Sequence, residues 1–291
     1  MPSQATPQDR LDIVQRHMGF SFPKDLPRLW NGDDAFDTQL FNALSLTFPK
    51  GEQMFIDSVR FYREHIHDAA LSDDVRAFIG QEAQHSKEHE AFNAWIAAQG
   101  YPVDDIYAFI DERQELGRAA PPIVQLAITC ALEHFTAIMA DSILEDEALI
   151  AAIHEDVRAL WIWHAIEETE HKAVAFDVYA HVGGSLKTRR ITMAYITFHF
   201  ITNITRFHLA LLKADGELSN LPALARGVWR HWGPRGRFTK LIPAYLAYYR
   251  ADFHPWQQDN RSTVAKWKAY IDGIAKRRVP QRRDESKREA A

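Results

Sequence analysis

The chain is predicted to be all-α: a four-helix bundle with additional C-terminal helices. Three observations predict it. Apolar residues recur at helical spacing over long stretches. Glycine and proline fall mostly between those stretches and mark their ends. Runs with the alternating, β-branched character of strands are scarce.

The elements follow in order. Residues 1–33 form an N-terminal extension. A first helix is expected from Asp34 to His67, kinked or interrupted by Pro49 and Gly51 in "FPKGE". A second covers Ser72–Gln99, with Ser72 as N-cap, Asp73 and Asp74 in the first turn and Gly100 as the stop. A short helix lies near 104–117. Pro121 and Pro122 open the next, which ends near Leu144. One long helix is expected over Glu147–His181, closed by Gly183 and Gly184. An apolar helix at Leu186–Lys213 is expected to be buried. Its stretch 191–212 is apolar enough to suggest a membrane span, but His199, Asn203, Arg206 and His208 would be costly in lipid. Helices near 219–231, 235–250 and 261–276 follow, then a charged, disordered tail at 277–291. Residues 34–276 are read as one domain, with the bundle at about 34–183 and the further helices at about 185–276 shaping a pocket beside it.

Composition narrows the function. The hydrophobic share is 46% and mean hydropathy is −0.32, as for a soluble globular chain of 291 residues. A formal charge of −5 gives no pull toward nucleic acid. The single cysteine, Cys130, rules out an intrachain disulfide and argues against a cysteine-built metal site. The N-terminal stretch lacks the basic-then-apolar layout of a signal peptide, so a cytoplasmic protein is expected.

Fourteen histidines are the unusual feature, many of them beside acids. In "HAIEETEH", His164, Glu168 and His171 are spaced by four and three and share one helix face with Trp161 and Ala175. Three polar groups in a buried seam would each cost on the order of 2–7 kcal/mol if unpaired. A metal that accepts their lone pairs removes that cost. Glu168-x-x-His171 has a counterpart in Glu82-x-x-His85, and two further carboxylates, Glu52 and Glu133, stand inside apolar helices. Glu, Glu-x-x-His, Glu, Glu-x-x-His on four successive helices is the ligand order of a dinuclear carboxylate bundle. Carboxylates offset the charge of two cations, and imidazole suits iron, manganese or zinc.

On these residues the chain resembles the ferritin-like di-iron carboxylate superfamily. More narrowly, "FPKGE", "QEAQHSKEH", "LEHFTA", "WHAIEETEHKAVAFDVY" and "FHPWQQDN" resemble a bacterial family catalogued as predicted metal-dependent hydrolases, over about residues 20–260. His164-x-x-x-Glu168-x-x-His171 is similar to the last ligand helix of di-iron arylamine N-oxygenases. That resemblance implies a third imidazole, His164, on one metal. The expected ligands are Glu52, Glu82 and His85 for one ion and Glu133, His164, Glu168 and His171 for the other, with iron as the expected metal and manganese or zinc as alternatives.

The remaining groups carry less. His89 shares the face of His85 and is open as a ligand, a supporting group or a surface residue. Glu88, Glu167 and Glu170 read as solvated or supporting. Cys130 reads as a supporting or packing group and not a ligand, His134 as packing or solvated, and His199 with Asn203 as a core pair or a pocket wall. The expected function is an O2-activating oxidoreductase that takes an apolar or aromatic small molecule, O2 and an electron donor. A metal-dependent hydrolase using a metal-bridging water is the alternative, and a non-enzymatic metal-binding protein the third reading. "RGVWRHWGPRGR" mixes arginine and tryptophan and reads as a surface helix with a basic rim; nucleic-acid or phospholipid contact is the other reading, and peripheral membrane contact and homodimer formation are left open.

Overall fold

Asp34 opens the first helix by accepting the Asp37 N–H at 3.0 Å. In a computed structural model that describes residues 10–289, with side chains described through residue 275, α1 runs Ala35–Phe61. The expected interruption at Pro49 does not occur. Proline has no N–H, so the Ser45 carbonyl one turn earlier loses its helix partner. Asn93 replaces that partner from the neighbouring helix, donating through Nδ2 to Ser45 O at 3.0 Å.

That neighbour, α2, spans Ala69–Ala98. Its cap is Asp68, which accepts the Leu71 N–H at 2.9 Å, and not Ser72, which lies inside the first turn. After α3 (Val103–Arg118), α4 (Pro122–Glu145) starts on its paired prolines. The single helix expected over 147–181 is three: α5 (Glu147–Ala152), α6 (Glu155–His171) and α7 (Val174–His181). Neither break carries glycine or proline. The first is tertiary: Gly32 N–H donates to Ala152 O at 2.9 Å and His154 N–H to Trp30 O at 2.8 Å, which pulls the chain out of the helix. At the second, the Lys172 ammonium donates to Gln258 O and Asn260 Oδ1 at 2.7 and 2.8 Å. Then follow α8 (Leu186–Ala214), α9 (Leu221–Trp232), α10 (Arg237–Ala247) and α11 (Arg261–Glu289). α11 runs on as helix to Glu289, past residue 276 where a disordered tail was expected, and residues 290–291 lie outside the described residues.

Regular structure among the described residues is helical, with one isolated antiparallel bridge between Asn31 and Ile153. α1 packs on α2 and α4 on α6, and α1–α4 and α2–α6 contacts join the two pairs. Where they meet, Trp30, Phe41, Phe92 and Trp161 form an aromatic cluster with Trp30 and Trp161 stacked at 6.4 Å. Pairs of this kind add about 0.5–1.5 kcal/mol each beyond their buried area. Trp30 comes from the N-terminal extension, which also buries Met18 and Phe20 and is therefore part of the core.

α4 is the one described helix long and apolar enough to cross a membrane, but 61% of its apolar stretch is buried among the other helices. The apolar helix α8 lies across α1 and α4. It is not buried all round, as expected, but keeps Ile191, Tyr195, Phe198, Ile201 and Leu209 exposed. α9 sits on α1 through Gly227, where a Cβ would come within 2.4 Å of the Phe36 ring, so only glycine allows this approach.

Candidate metal centre

All seven residues expected from the spacing and the resemblance converge. Glu52 comes from α1, Glu82 and His85 from α2, Glu133 from α4, and His164, Glu168 and His171 from α6. Each is at most 4% exposed. Their donor atoms form three overlapping groups: Glu52, His85 and His164; Glu82, His85 and Glu168; Glu82, Glu133 and His171. His164 thus stands with Glu52 and His85, not with Glu133 and His171 as expected, because the step of seven residues from His171 carries it two turns along α6.

Glu168 is central. Its Oε1 lies 3.4 Å from His85 Nδ1, 3.4 Å from His164 Nε2 and 3.7 Å from His171 Nε2. His171 Nε2 is also 3.1 Å from Glu82 Oε1 and 3.6 Å from Glu133 Oε2. Both oxygens of Glu82 and of Glu133, Glu52 Oε1, Glu168 Oε2, and the facing nitrogens His85 Nδ1, His164 Nε2 and His171 Nε2 are buried without a hydrogen-bond partner. Buried polar atoms are rarely left so, and this many in one place is the signature of a cation-binding site. The separations fit as well. Donors about 2.0–2.2 Å from one ion stand about 3.0–3.5 Å apart, close to these distances.

Hydrogen bonding fixes which imidazole nitrogens are bare. The Asn93 amide N–H groups are committed to Ser45 O and, at 3.0 Å, to Tyr107 Oη. Asn93 Oδ1 must then accept from Ser45 Oγ, at 2.7 Å. Ser45 Oγ in turn accepts from His89 Nδ1 at 2.8 Å, so His89 Nε2 carries a lone pair and accepts from His164 Nδ1 at 3.0 Å. His164 Nε2 is left with its lone pair aimed at Glu168. His89 is therefore not aimed at the centre but orients a residue that is. The same logic holds at His171. Gln81 donates through Nε2 to Val14 O and Glu170, so its Oε1 accepts from His171 Nδ1 at 2.8 Å and Nε2 stays bare. His85 Nε2 faces Glu167 Oε2 at 3.2 Å, off the line of a good hydrogen bond, with Nδ1 toward Glu168.

One arginine ties the supports together. Arg16, from the N-terminal extension, donates to Glu167 Oε1 at 3.1 Å and to both oxygens of Glu170 at 3.0 and 2.7 Å. Trp163 Nε1 donates to the same Glu167 oxygen at 2.8 Å. Glu88, equally buried, caps the extension by accepting the Gly19 and Phe20 N–H groups, both at 2.6 Å.

Packed together away from water, the carboxylates are hard to ionise at once. Burial pushes Glu52 and Glu133 well above the usual carboxylate range and raises Glu82. Burial opposes ionisation of Glu168 too, but His171, His85 and His164 outweigh it and hold Glu168 well below that range. His85 and His171 are raised against burial by the carboxylates around them. Burial and the neighbouring His85 depress His164 to about 3, so it is a neutral donor.

A cavity of about 510 Å³ reaches the centre at Glu52 and Glu168. Its walls come from α1, α3, α4 and α8 and are mainly apolar, including Phe48, Phe55, Ile128, Leu132, Ile196 and Phe207. His199 and Asn203 line it; so do Arg113 and Leu116 of α3, a helix that spacing did not connect with the site. Two residues expected to be packing groups are so: Cys130 donates its thiol to Ala175 O at 3.2 Å, and His134 bonds Ala244 O at 3.1 Å.

Arg16, Gln81, Ser45 and Asn93 were missed. The apolar density of "LDIVQRHMGFSF" is the one signal that the extension around Arg16 packs inside. Neither the curated proteins nor the solved structures compared with the chain give a match. A family model does, over residues 14–259, from the buried extension through the last ligand helix to the segment that holds Lys172. The chain, with its buried carboxylate and imidazole cluster, belongs to the family described as predicted metal-dependent hydrolases.

Proposed function

We propose that the protein is a ferritin-like dinuclear metal enzyme that oxidises an apolar or aromatic small molecule with O2, drawing electrons from a separate donor. One observation carries the reading: the apolar cavity ends on Glu52 and Glu168, two of the metal-facing carboxylates. Four carboxylates offset the charge of two divalent cations, and an oxygen–nitrogen set without thiolate suits iron, with manganese or zinc next. Bound iron would supply the redox chemistry and the O2 binding. The chain does the rest. Glu52, His85 and His164 would hold one ion and Glu82, Glu133 and His171 the other, with Glu168 between them. The Arg16–Glu167–Glu170–Gln81 network holds the imidazoles in place, and the apolar walls exclude water and orient a substrate that lacks polar handles.

Hydrolysis is the second reading, and the family's description favours it. Bound cations would then lower the pKa of a water and polarise an ester or phosphoester oxygen. The test separates the two. Protein reconstituted anaerobically with ferrous iron is mixed with O2 and a panel of hydrophobic arenes and alkyl compounds, and O2 uptake is followed. The zinc and manganese forms are assayed on ester and phosphoester panels. Substrate-dependent O2 uptake by the iron form alone supports oxidation. Turnover of esters by the zinc or manganese form, with an iron form inert to O2, overturns it.

A further inference from the structure

The chain carries net negative charge, yet between residues 178 and 251 its acids are Asp215 and Glu217 alone, against eleven lysines and arginines. Arg189 is buried, and Arg230, Arg237 and Arg250 pair with Asp34, Asp37, Asp146 and Asp252, which leaves seven exposed cations, Arg226 and Arg235 beside the exposed tryptophans among them. The same segment holds most of the exposed apolar surface. Of sixteen exposed large hydrophobic side chains among the described residues, eleven lie on α8, α9 and α10. They include Phe198 at 65%, Trp229 at 69% and Trp232 at 52% exposure.

Several of these side chains share one face. Ile201 of α8, Val228 and Trp232 of α9, and Ile242 of α10 line a shared apolar cavity of about 370 Å³. Ile191 and Tyr195, further along the exposed stripe of α8, line the cavity that reaches the metal centre. α9 explains the arrangement locally. Gly227 and His231 face Phe36 and Asp37 of α1, which turns Val228, Trp229 and Trp232 outward with Arg226 beside them.

We infer that this face docks on an anionic lipid bilayer and sets the mouth of the substrate cavity against the membrane. Exposed tryptophan and phenylalanine next to lysine and arginine match the acyl–headgroup boundary of such a surface. A twofold pairing of two chains through the same face is disfavoured, because it would press like-charged patches together. On α3, the other lip of the cavity, Asp111, Glu112 and Glu115 mark where the cationic face ends. The entry of a lipophilic substrate from the bilayer rests on the function proposed above; the docking itself does not.

The test is co-sedimentation of the full chain with vesicles of phosphatidylcholine alone and of phosphatidylcholine mixed with phosphatidylglycerol. It is run with and without bound metal, so that failure of the catalytic reading leaves the result intact. Binding to the anionic vesicles is expected, falling with salt, and falling by about tenfold or more in Trp229→Ser/Trp232→Ser and in Arg226→Glu/Arg235→Glu. All four positions are exposed, so both variants should keep the circular dichroism of the parent. Absence of binding to either vesicle, or binding unchanged in both variants, overturns the inference. So does a stable dimer by light scattering that Trp229→Ser/Trp232→Ser converts to monomer, since the face would then be covered by a second copy.

Discussion

His89 offers a sharp test of how the centre is held. It touches no expected cation position, yet its Nε2 accepts the proton of His164 Nδ1 at 3.0 Å. In His89→Phe the ring volume remains and the acceptor is lost. The buried His164 N–H then has no partner, which costs about 1–3 kcal/mol. Because that bond sets both the tautomer and the ring angle, the cost falls on the metal-binding form. At about 1.4 kcal/mol per decade it corresponds to about 5- to 150-fold weaker binding, in line with the 10–100-fold typical of lost supporting bonds. His89→Gln places an amide oxygen near the same point and should recover most of the affinity. The assay is competition against a chromophoric chelator, with ferrous or zinc ion. Binding by His89→Phe within about twofold of the parent would refute the relay. Equal losses in both variants would assign the effect to packing instead.

Other outcomes follow from the same geometry. Arg16→Met leaves Glu167 buried without its cation and Glu170 with Lys268 alone, at 3.6 Å, and should destabilise the metal-free protein by about 3–5 kcal/mol, read as a lower urea midpoint. His134 and His208 are both depressed by burial to about 4, so the unfolded chain binds their protons first as pH falls. Stability should therefore drop between about pH 6.5 and 4, by up to about 3 kcal/mol per histidine, and His208→Gln should flatten that slope in urea titrations. Filling the cavity with Ile196→Trp should abolish substrate turnover while leaving metal content unchanged, measured by elemental analysis beside the activity assay.

Four of the seven converging residues were legible in the sequence as pairs that obey helix geometry, which is local; Glu52 and Glu133 stood out as carboxylates inside apolar helices, and His164 as a ligand came from the resemblance. Glu82 with His85 and Glu168 with His171 are one turn apart, and a helix leaves them no other relation. What supports them was not legible. Arg16 reaches Glu167 and Glu170 across more than 150 positions, and nothing in a spacing pattern records such a contact. Breaks in the chain divide the same way. Pro121 and Pro122 announce the start of α4, whereas the gap between α5 and α6 exists because Trp30 and Gly32 bond to its backbone. Pro49 is the reverse case. It signals an interruption that Asn93 prevents. The partition of ligands failed for a related reason: order along the chain names the donors, but only the packing of α1 against α2 and α6 decides that His164 stands beside Glu52 and His85.

We propose that the buried carboxylate–imidazole cluster holds two metal ions. The measurement that decides it is elemental analysis of the purified chain beside Glu168→Ala and His171→Ala. Two equivalents of metal per chain are expected in the parent and one or fewer in each variant, with both still folded. A parent that takes up no metal, or variants that retain two, would contradict it.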